Sequence, residues 1–185
     1  MDAVEAAFAT LPRGRFLHRG NRRRAGYDGP VAIGHGQTNS QPRTVEAMLR
    51  LLDVRQGQSV LDVGAGSGWT TALLAHLTGP SGFVRGVELV PDLVTFGSAN
   101  LAATGQPWAC LVSASPGLLG SPDHAPYDRI LVSADPGELP RELVDQLGDD
   151  GRLVIPVAGT MLLAVRTGGD VQVTEHGYYR FVPMR

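Results

Sequence analysis

The chain has 185 residues, 16 of them basic and all of those arginine, against 18 acidic residues, for a formal net charge of -2. This length suits one α/β domain that buries about 70% of its unfolded surface, and the near-zero charge argues against a general attraction to nucleic acid or acidic membranes. The lone Cys110 excludes an internal disulfide and a cysteine-based metal site.

The first distinctive segment is rich in arginine. Six arginines fall within twelve positions, interleaved with Phe16 and His18: Arg13, Arg15, Arg19, Arg22, Arg23 and Arg24. Such a segment could hold an RNA phosphate backbone or an acidic peptide, because both are polyanions. It could equally be a solvated loop near the mouth of an active site. The sequence leaves these alternatives open.

The central feature of the chain is a glycine-rich turn between a predicted strand and a predicted helix. An apolar run at 60–63 predicts a buried parallel strand, and residues 69–77 predict the helix. Glycine permits a positive-φ turn and a close approach of a ligand to backbone N–H groups at the positive end of the helix. The turn that we expect to bind a cofactor consists of Gly64, Ala65, Gly66, Ser67 and Gly68.

Two acidic residues narrow the identity of that ligand. Asp62 stands two places before the first glycine, and the glycine spacing is one residue tighter than the dinucleotide pattern G-x-G-x-x-G. Glu88 ends a strand predicted at 82–88, where an acid can accept hydrogen bonds from both ribose hydroxyls. The plainer alternatives are that Asp62 caps the turn, that the glycines only pack strand on helix, and that Glu88 is a solvated strand end.

The remaining segments alternate predicted strands and helices, as in a mostly parallel sheet covered on both faces. Helices are predicted at 46–52, 91–104 and 139–147, strands at 108–112, 127–133 and 152–157, and a turn at 148–151. Residues 161–166 and 171–174 predict a hairpin. The expected fold class is therefore α/β: a Rossmann-like, doubly wound, mostly parallel sheet with a C-terminal antiparallel hairpin.

A sheet of this kind binds ligands beyond the carboxyl ends of its strands. We therefore expect the glycine turn, Glu88 with the adjoining Leu89, the loop at 113–122 and the segment at 133–136 to line the site. Within the loop, Ser115 and Pro116 would face the adenine of the cofactor.

Two patterns resemble known proteins. The glycine turn with Asp62 resembles motif I of class I methyltransferases, in which that carboxylate would suit the ammonium group of S-adenosyl-L-methionine. The segment 34–42, Gly-His-Gly-Gln-Thr-Asn-Ser-Gln-Pro, resembles the G-x-G-Q-T-I-S-x-P segment of protein-L-isoaspartate O-methyltransferases. Shorter matches to this family follow in order at 7–16, 27–30, 125–130, 143–147, 151–157 and 181–183. The resemblance implies one domain over 1–185, with an N-terminal substrate-side segment at 1–55 and a cofactor-binding core at 56–185.

The activity that this resemblance implies is methyl transfer from S-adenosyl-L-methionine to the α-carboxylate of an L-isoaspartyl residue in a damaged protein or peptide, a repair reaction. A carboxylate is ionised at pH 7, so the reaction needs alignment and desolvation and no general base. Ser40 matches the family serine beside the transferred methyl and would orient the carboxylate. As an alternative or additional role, it could cap a helix that starts near Pro42. The residues expected to bind substrate are Gln37, Thr38, Asn39 and Arg43.

Three positions depart from the family pattern. Asn39 replaces an aliphatic residue, Pro116 replaces an acid that would bind the adenine amine, and Arg43 replaces an uncharged residue or a histidine. These changes keep two alternatives open: an enzyme of this fold that esterifies an aspartate in a dedicated peptide or small molecule, and a degenerate cofactor-binding partner module. The complete set of Asp62, glycines and Glu88 favours an enzyme.

The expected partner is an isoaspartyl-containing protein or peptide, which is the substrate. The enzyme itself is expected to be a monomer. Neither nucleic acid, a membrane nor a metal is expected. No apolar stretch approaches the ~18 residues that span a bilayer, and the first residues lack the basic start and apolar core of a signal peptide. We therefore expect a cytoplasmic location.

Overall fold

A computed structural model describes residues 2–115 and 117–185. The N-terminal third contains α1 (Ala3–Thr10), two 3-10 helices (Arg13–Phe16 and Arg19–Arg24), β1 (Val31–Gly34), β2 (Gln37–Asn39) and α2 (Pro42–Leu52). The core follows with β3 (Ser59–Val63), α3 (Trp69–Thr78), β4 (Phe83–Glu88), α4 (Pro91–Ala102), β5 (Ala109–Ser113), a 3-10 turn (Pro122–His124) and β6 (Tyr127–Val132). The chain ends with α5 (Arg141–Val144), β7 (Leu147–Val157), β8 (Thr160–Thr167) and β9 (Asp170–Tyr178).

Strands β3 to β9 form one sheet, in the order β5-β4-β3-β6-β7-β8-β9 within the described ranges. Neighbouring strands from β5 to β7 are parallel, whereas β7, β8 and β9 pair antiparallel. The strand order reverses at β3, and open α/β sheets bind ligands beyond the carboxyl ends of the strands at such a point. The predicted fold class is confirmed, including the C-terminal hairpin.

The sheet is buried on both faces because successive side chains of a strand point to opposite sides. In β3, Val60 packs into a core with α1, α2 and α3, while Leu61 and Val63 pack on the other face with β6, β7 and α5. None of the helices in the described parts of the chain combines the length and the apolar character that a membrane span requires.

Two predicted elements are wrong. The helix predicted at 139–147 is only the four residues Arg141–Val144, because Pro140 precedes its first residue and the next strand begins at Leu147. The turn predicted at 148–151 belongs to that strand, which shifts register against β6 at this point. Asp150 takes a φ of 57° there, and a side chain on Gly151 would meet the backbone oxygen of Gly148 at 2.7 Å. Residues that usually form a turn are thus part of an irregular stretch of strand β7.

Candidate active site

A cleft of about 1470 Å³ opens at the carboxyl ends of the central strands. This volume exceeds the 300–1,000 Å³ of ordinary small-molecule sites, so it has room for a cofactor and part of a second ligand. The predicted site residues that line it are Gln37, Thr38, Asn39, Ser40, Arg43, Gly64, Ala65, Gly66, Ser67, Glu88, Leu89 and Ser115. Asp62 and Gly68 are not among its lining residues, and Pro116 lies outside the described residues.

The three glycines of the turn have two different functions in the structure. Gly64 and Gly66 line the cleft with φ angles of 80° and 53°, so the backbone faces the ligand without a side chain. Gly68 also has a positive φ, but a side chain there would meet the backbone oxygen of Gly97 at 2.7 Å. Gly68 therefore allows the start of α3 to pack closely on α4. This is a packing role, but between two helices and not between strand and helix as the plainer alternative had it.

Glu88 joins the glycine turn to the end of β4. Its Oε2 accepts a hydrogen bond from the backbone N–H of Gly66 at 2.9 Å, and its Oε1 accepts one from Val90 N–H at 2.9 Å. The side chain is only 7% exposed and lines the cleft. An ionised carboxylate has about four acceptor sites, so lone pairs remain for hydroxyl donors of a ligand.

Asp62 is fully buried behind the turn. Its Oδ2 accepts hydrogen bonds from the hydroxyls of Thr70 and Thr71, both at 2.7 Å, while its Oδ1 has no partner in the described part of the chain. Burial raises the pKa of this carboxyl to about 6, although the two threonines oppose the shift. A buried carboxylate that lacks one hydrogen-bond partner is stabilised by a positive charge nearby. The ammonium group of S-adenosyl-L-methionine would supply that charge from the cleft, next to Thr70, which lines the cleft and bonds to Asp62. The bare turn, Glu88 and this carboxylate fit that cofactor.

Ser40 lies between β2 and α2, half-buried in the cleft wall. Its hydroxyl makes no hydrogen bond to any residue that the structure describes. The idea that Ser40 caps α2 is wrong: the helix starts at Pro42 and its cap residue is Gln41, whose side chain makes no capping bond. In the first turn, Asp28 Oδ1 accepts from the N–H of Arg43 at 3.4 Å. The hydroxyl of Ser40 is therefore available to a ligand.

Arg43 is the exposed neighbour of this serine. Its guanidinium Nη2 lies 3.1 Å from the Asp28 carboxylate, with the Arg43 side chain 82% exposed. The positive charge predicted for the substrate side is thus partly neutralised by Asp28, and water screens the pair further.

Asn39 is a buried connector between the substrate side and the glycine turn. Its side-chain Oδ1 accepts a hydrogen bond from Arg13 Nε at 2.6 Å, and its Nδ2 donates to Ser67 Oγ at 2.9 Å. The backbone oxygen of Asn39 accepts from Arg13 Nη2 at 2.8 Å. The residue is 5% exposed. The amide that replaces the family's aliphatic side chain at this position therefore ties the hairpin to Arg13 and to the glycine turn from behind the wall.

Arg13 is a functional residue that composition could not separate from the rest of the arginine-rich segment. It is 4% exposed, and besides Asn39 its guanidinium donates to the backbone oxygens of Tyr27 at 2.9 Å and Gly29 at 2.8 Å. No carboxylate lies within 4.0 Å of it in the described residues. Burial and the nearby Arg24 lower its pKa to about 10, so it stays a cation at pH 7. The only sequence signal for it was the Leu11-Pro12-Arg13 match.

The C-terminal tail completes the substrate side, which the sequence did not indicate. Residues 178–185 line the cleft, and the tail is attached by backbone hydrogen bonds from Asp135 N–H to Val182 O and from Met184 N–H to Asp135 O, each 2.8 Å. The Asp135 carboxylate accepts from the N–H groups of Gly137, Ala158 and Gly159 at 2.8 to 3.0 Å. Partial burial raises the pKa of this carboxyl, but the three donors outweigh it and the pKa is lowered.

Comparisons with known proteins agree along the chain. A family model described as protein-L-isoaspartate(D-aspartate) O-methyltransferase (PCMT) matches residues 1–185. The protein-L-isoaspartate O-methyltransferase of Methanopyrus kandleri is 41% identical over 188 residues, which cover 99% of this chain and 83% of that protein. The enzyme of the same name from Aeropyrum pernix is 47% identical over 164 residues, which cover 89% of this chain and 63% of that relative.

The solved structures agree in fold. A Plasmodium falciparum protein, described as a beta-aspartate methyltransferase (PCMT) in complex with S-adenosyl-L-homocysteine, superposes with a TM-score of 0.89 at 26% identity. The alignment covers 100% of this chain and 91% of that one. The predicted enzyme class and the predicted cofactor, S-adenosyl-L-methionine, are confirmed. This chain belongs to the protein-L-isoaspartate O-methyltransferase family.

Proposed function

We propose that this protein methylates the α-carboxylate of L-isoaspartyl residues in damaged proteins and peptides, with S-adenosyl-L-methionine as methyl donor. The observation that carries the proposal is that Ser40 and the segment Gln37–Asn39 share one cleft with the glycine turn and Glu88. A donor site and an acceptor site in one cavity are what a direct methyl transfer requires. The activity in the name of the Methanopyrus kandleri relative supports the same acceptor.

The cofactor is assigned to the core, residues 56–185. When bound, it supplies an electrophilic methyl group on a sulfonium. We propose that Glu88 accepts hydrogen bonds from the ribose hydroxyls, that Leu89, which is 50% exposed, and Ser115 contact the adenine, and that Asp62 balances the ammonium charge. Pro116 is proposed for the adenine side from the sequence alone. The backbone of the glycine turn, at 64–68, approaches the cofactor most closely.

The substrate is assigned mainly to the segment 1–55. We propose that the Ser40 hydroxyl donates a hydrogen bond to the isoaspartyl carboxylate and orients it, with Gln37 and Thr38 beside it and Arg43 attracting it from the rim. No proton has to be removed, because the carboxylate is ionised at pH 7. Asn39 acts indirectly, by holding the backbone next to Ser40 against Arg13. The isoaspartyl carboxylate, which is the nucleophile, thus exchanges part of its hydration shell for contacts with ordered residues of the cleft wall.

The decisive test is transfer of labelled methyl from S-adenosyl-L-methionine to a short isoaspartyl peptide, beside the same peptide with normal aspartate. We expect base-labile methylation of the isoaspartyl peptide alone. Tight cofactor binding with neither peptide methylated would contradict the proposal and favour a dedicated substrate. Absence of cofactor binding in calorimetry would indicate a degenerate module.

The location, the oligomeric state and the domain organisation of the enzyme belong to the same proposal. We propose a cytoplasmic monomer in which the two segments, 1–55 and 56–185, form one domain. Support comes from the core cluster that α1 and α2 share with α3, because neither segment buries its apolar residues alone.

A further inference from the structure

The arginine-rich segment carries more charge than the site described above uses. Whereas Arg13 is buried, the other arginines of the segment are exposed: Arg15, Arg19, Arg22, Arg23 and Arg24. We call these five residues the arginine surface. Residues 11–27 contain no acid, and in the described ranges no carboxylate lies within 4.0 Å of any of the five guanidinium groups. The surface is therefore a concentrated, uncompensated positive charge on a protein whose net charge is -2.

This surface is attached firmly to the outside of the cleft wall. Asn21 Nδ2 donates to the backbone oxygen of Ala32 at 2.9 Å, and the His18 ring bonds to the backbone oxygen of Ile33 at 2.9 Å. Ile33 lines the cleft from the inner side of the same strand. The His18 ring also stacks on Phe96, with ring centroids 4.1 Å apart. The segment is thus fixed by specific contacts to a strand that walls the cleft. None of the five arginines lines the cleft itself, and Arg15 and Arg22 line a separate hollow with Asn100, Ala103 and Thr104.

Besides Glu88 at the end of β4 and Arg180 on the tail, the charged residues that line the cleft are arranged so that positive and negative charges lie on opposite sides. On the side of the β1–β2 hairpin lie Arg43 and Arg185, whose Nη2 donates to the backbone oxygen of His35 at 3.3 Å. The acids Glu142 and Asp145 line the cleft on α5, next to Gln146, which donates to the backbone of the loop that carries Leu119. A negatively charged chain that enters the cleft is attracted toward the hairpin side and repelled from the α5 side.

We propose that the arginine surface docks acidic segments of the protein substrate, so that this enzyme prefers isoaspartyl residues that lie within acidic stretches. The inference rests on the proposed function and names its substrate class. Guanidinium groups bind carboxylates with two parallel hydrogen bonds, and a fixed cationic surface steers anionic partners to the site. An extended substrate advances about 3.3 Å per residue, so acids several residues from the isoaspartyl group reach over the cleft rim.

An RNA partner fits the surface less well. Recognition of single-stranded RNA adds aromatic side chains on which bases stack. In this segment Phe16 is buried, His18 is already stacked on Phe96, and the ring of Tyr27 faces the Arg24 guanidinium at 5.2 Å. The segment therefore offers five exposed guanidinium groups but only one half-exposed ring, that of Tyr27, over which Arg24 already lies, and this balance suits an acidic peptide better than RNA.

The test compares three synthetic peptides with the same isoaspartyl core. Their flanks, two to six residues away on each side, carry glutamates, serines or lysines. We expect kcat/KM for the glutamate peptide to exceed that for the serine peptide about fivefold at low salt, with the lysine peptide lowest. The preference should shrink as the ionic strength rises to ~1 M, where the Debye length falls to about 3 Å. Methylation of the serine peptide tests the proposed function separately.

Matched charge variants locate the effect. Arg19→Gln with Arg23→Gln should reduce the glutamate-over-serine preference at least threefold and leave the serine peptide unchanged. The control, Arg50→Gln with Arg55→Gln, removes two positive charges away from the cleft, at side chains 42% and 73% exposed, and should keep the preference. Equal kcat/KM for the three peptides, or an equal loss in both double variants, would overturn the inference while the proposed function stands. Protection of the two arginines by single-stranded RNA without any peptide preference would assign the surface to RNA instead. Failure to methylate any peptide would overturn both proposals.

Discussion

The two sides of the cleft are built in opposite ways. The cofactor side is centred on one continuous stretch, Ser59–Val63 through Phe83–Glu88, in which a strand, a turn, a helix and a strand follow each other directly, and only the loop with Ser115 is added to it from further along the chain. The substrate side joins the segment after Pro12, the β1–β2 hairpin, the start of α2 and the tail at 178–185. A local unit depends on backbone geometry. A composite wall depends on the buried contacts that hold its parts together.

Those contacts are few and polar. Arg13 joins the first 3-10 helix to the hairpin, Asn39 joins the hairpin to Ser67 of the glycine turn, and Asp135 joins the tail to the sheet. Buried polar groups are costly when a partner is lost. The comparison therefore predicts that changes at the connectors weaken the substrate side while the cofactor side persists.

The largest effect is expected from Arg13→Met. The change leaves four buried acceptor positions on Asn39, Tyr27 and Gly29 without their donor, so the free energy of unfolding should fall by about 3–5 kcal/mol. Urea denaturation measures it, with exposed Arg23→Met as the matched control, expected to lie within about 0.5 kcal/mol of the parent. Equal stability of the two variants would show that Arg13 does not hold the wall.

Next in size is Ser40→Ala, which separates the two sides functionally. We expect kcat for an isoaspartyl peptide to fall about a hundredfold, or ~2.7 kcal/mol, because the carboxylate loses its orienting donor. The dissociation constant of S-adenosyl-L-methionine, measured by calorimetry, should change less than about twofold. Ser81→Ala, at an exposed serine on the far side of β4, serves as the control. Unchanged turnover in Ser40→Ala would refute the assigned role.

Asp62→Asn tests the cofactor side through pH. The folded-state pKa of about 6 lies above the ordinary value of 3.8 for an aspartate, so the folded protein binds the proton more tightly and the parent loses stability as pH rises from about 4 through 6. The raised pKa corresponds to about 3 kcal/mol of stability that the parent loses when Asp62 ionises. The variant avoids this loss, but its amide group lacks a hydrogen-bond partner, which offsets part of the gain. At pH 7.5 the unliganded variant should therefore be about 1–2 kcal/mol more stable than the parent, with no gain at pH 4.

The same variant should bind S-adenosyl-L-methionine at least about tenfold more weakly, since the charge that balances the ammonium group is gone. Thermal or urea unfolding at the two pH values, together with calorimetry, gives both readouts. Asp170→Asn, at an exposed residue at the start of β9 and away from the cleft lining, is the control and should change neither. A variant that binds the cofactor as well as the parent would reduce Asp62 to a structural acceptor for Thr70 and Thr71.

The smallest effect is expected from Asp135→Asn, at the connector of the tail. The amide keeps one acceptor oxygen but places N–H against the N–H groups of Gly137, Ala158 or Gly159. We expect KM for the peptide to rise about fivefold, or ~1 kcal/mol, with cofactor affinity unchanged. Steady-state kinetics with saturating cofactor measures it. A rise in the cofactor dissociation constant with no change in peptide KM would mean that the tail belongs to the cofactor side.

The local elements were predictable because their signals are short-range. Apolar runs and turn residues identified β3, α3, β4 and β6, and the glycine spacing placed the cofactor turn. The same kind of signal misled at 148–151, where Gly-Asp-Asp-Gly predicts a turn but the segment continues β7 between Leu147 and Arg152, which pair with Tyr127 and Arg129 of β6. Pairing energy outweighs local turn preference there.

The sequence by itself determined the family and the α/β fold, and it predicted the glycine turn and Glu88 that line the cleft, because motif spacing and strand–turn–helix geometry are encoded within a few consecutive residues. Only the tertiary structure decided which arginine is buried, what Asn39 holds and how the tail closes the cleft. Arg13 and Asn39 are 26 positions apart, and Asn39 and Ser67 are 28. No local pattern records such contacts, since they form only after the sheet has brought distant segments together and excluded water between them.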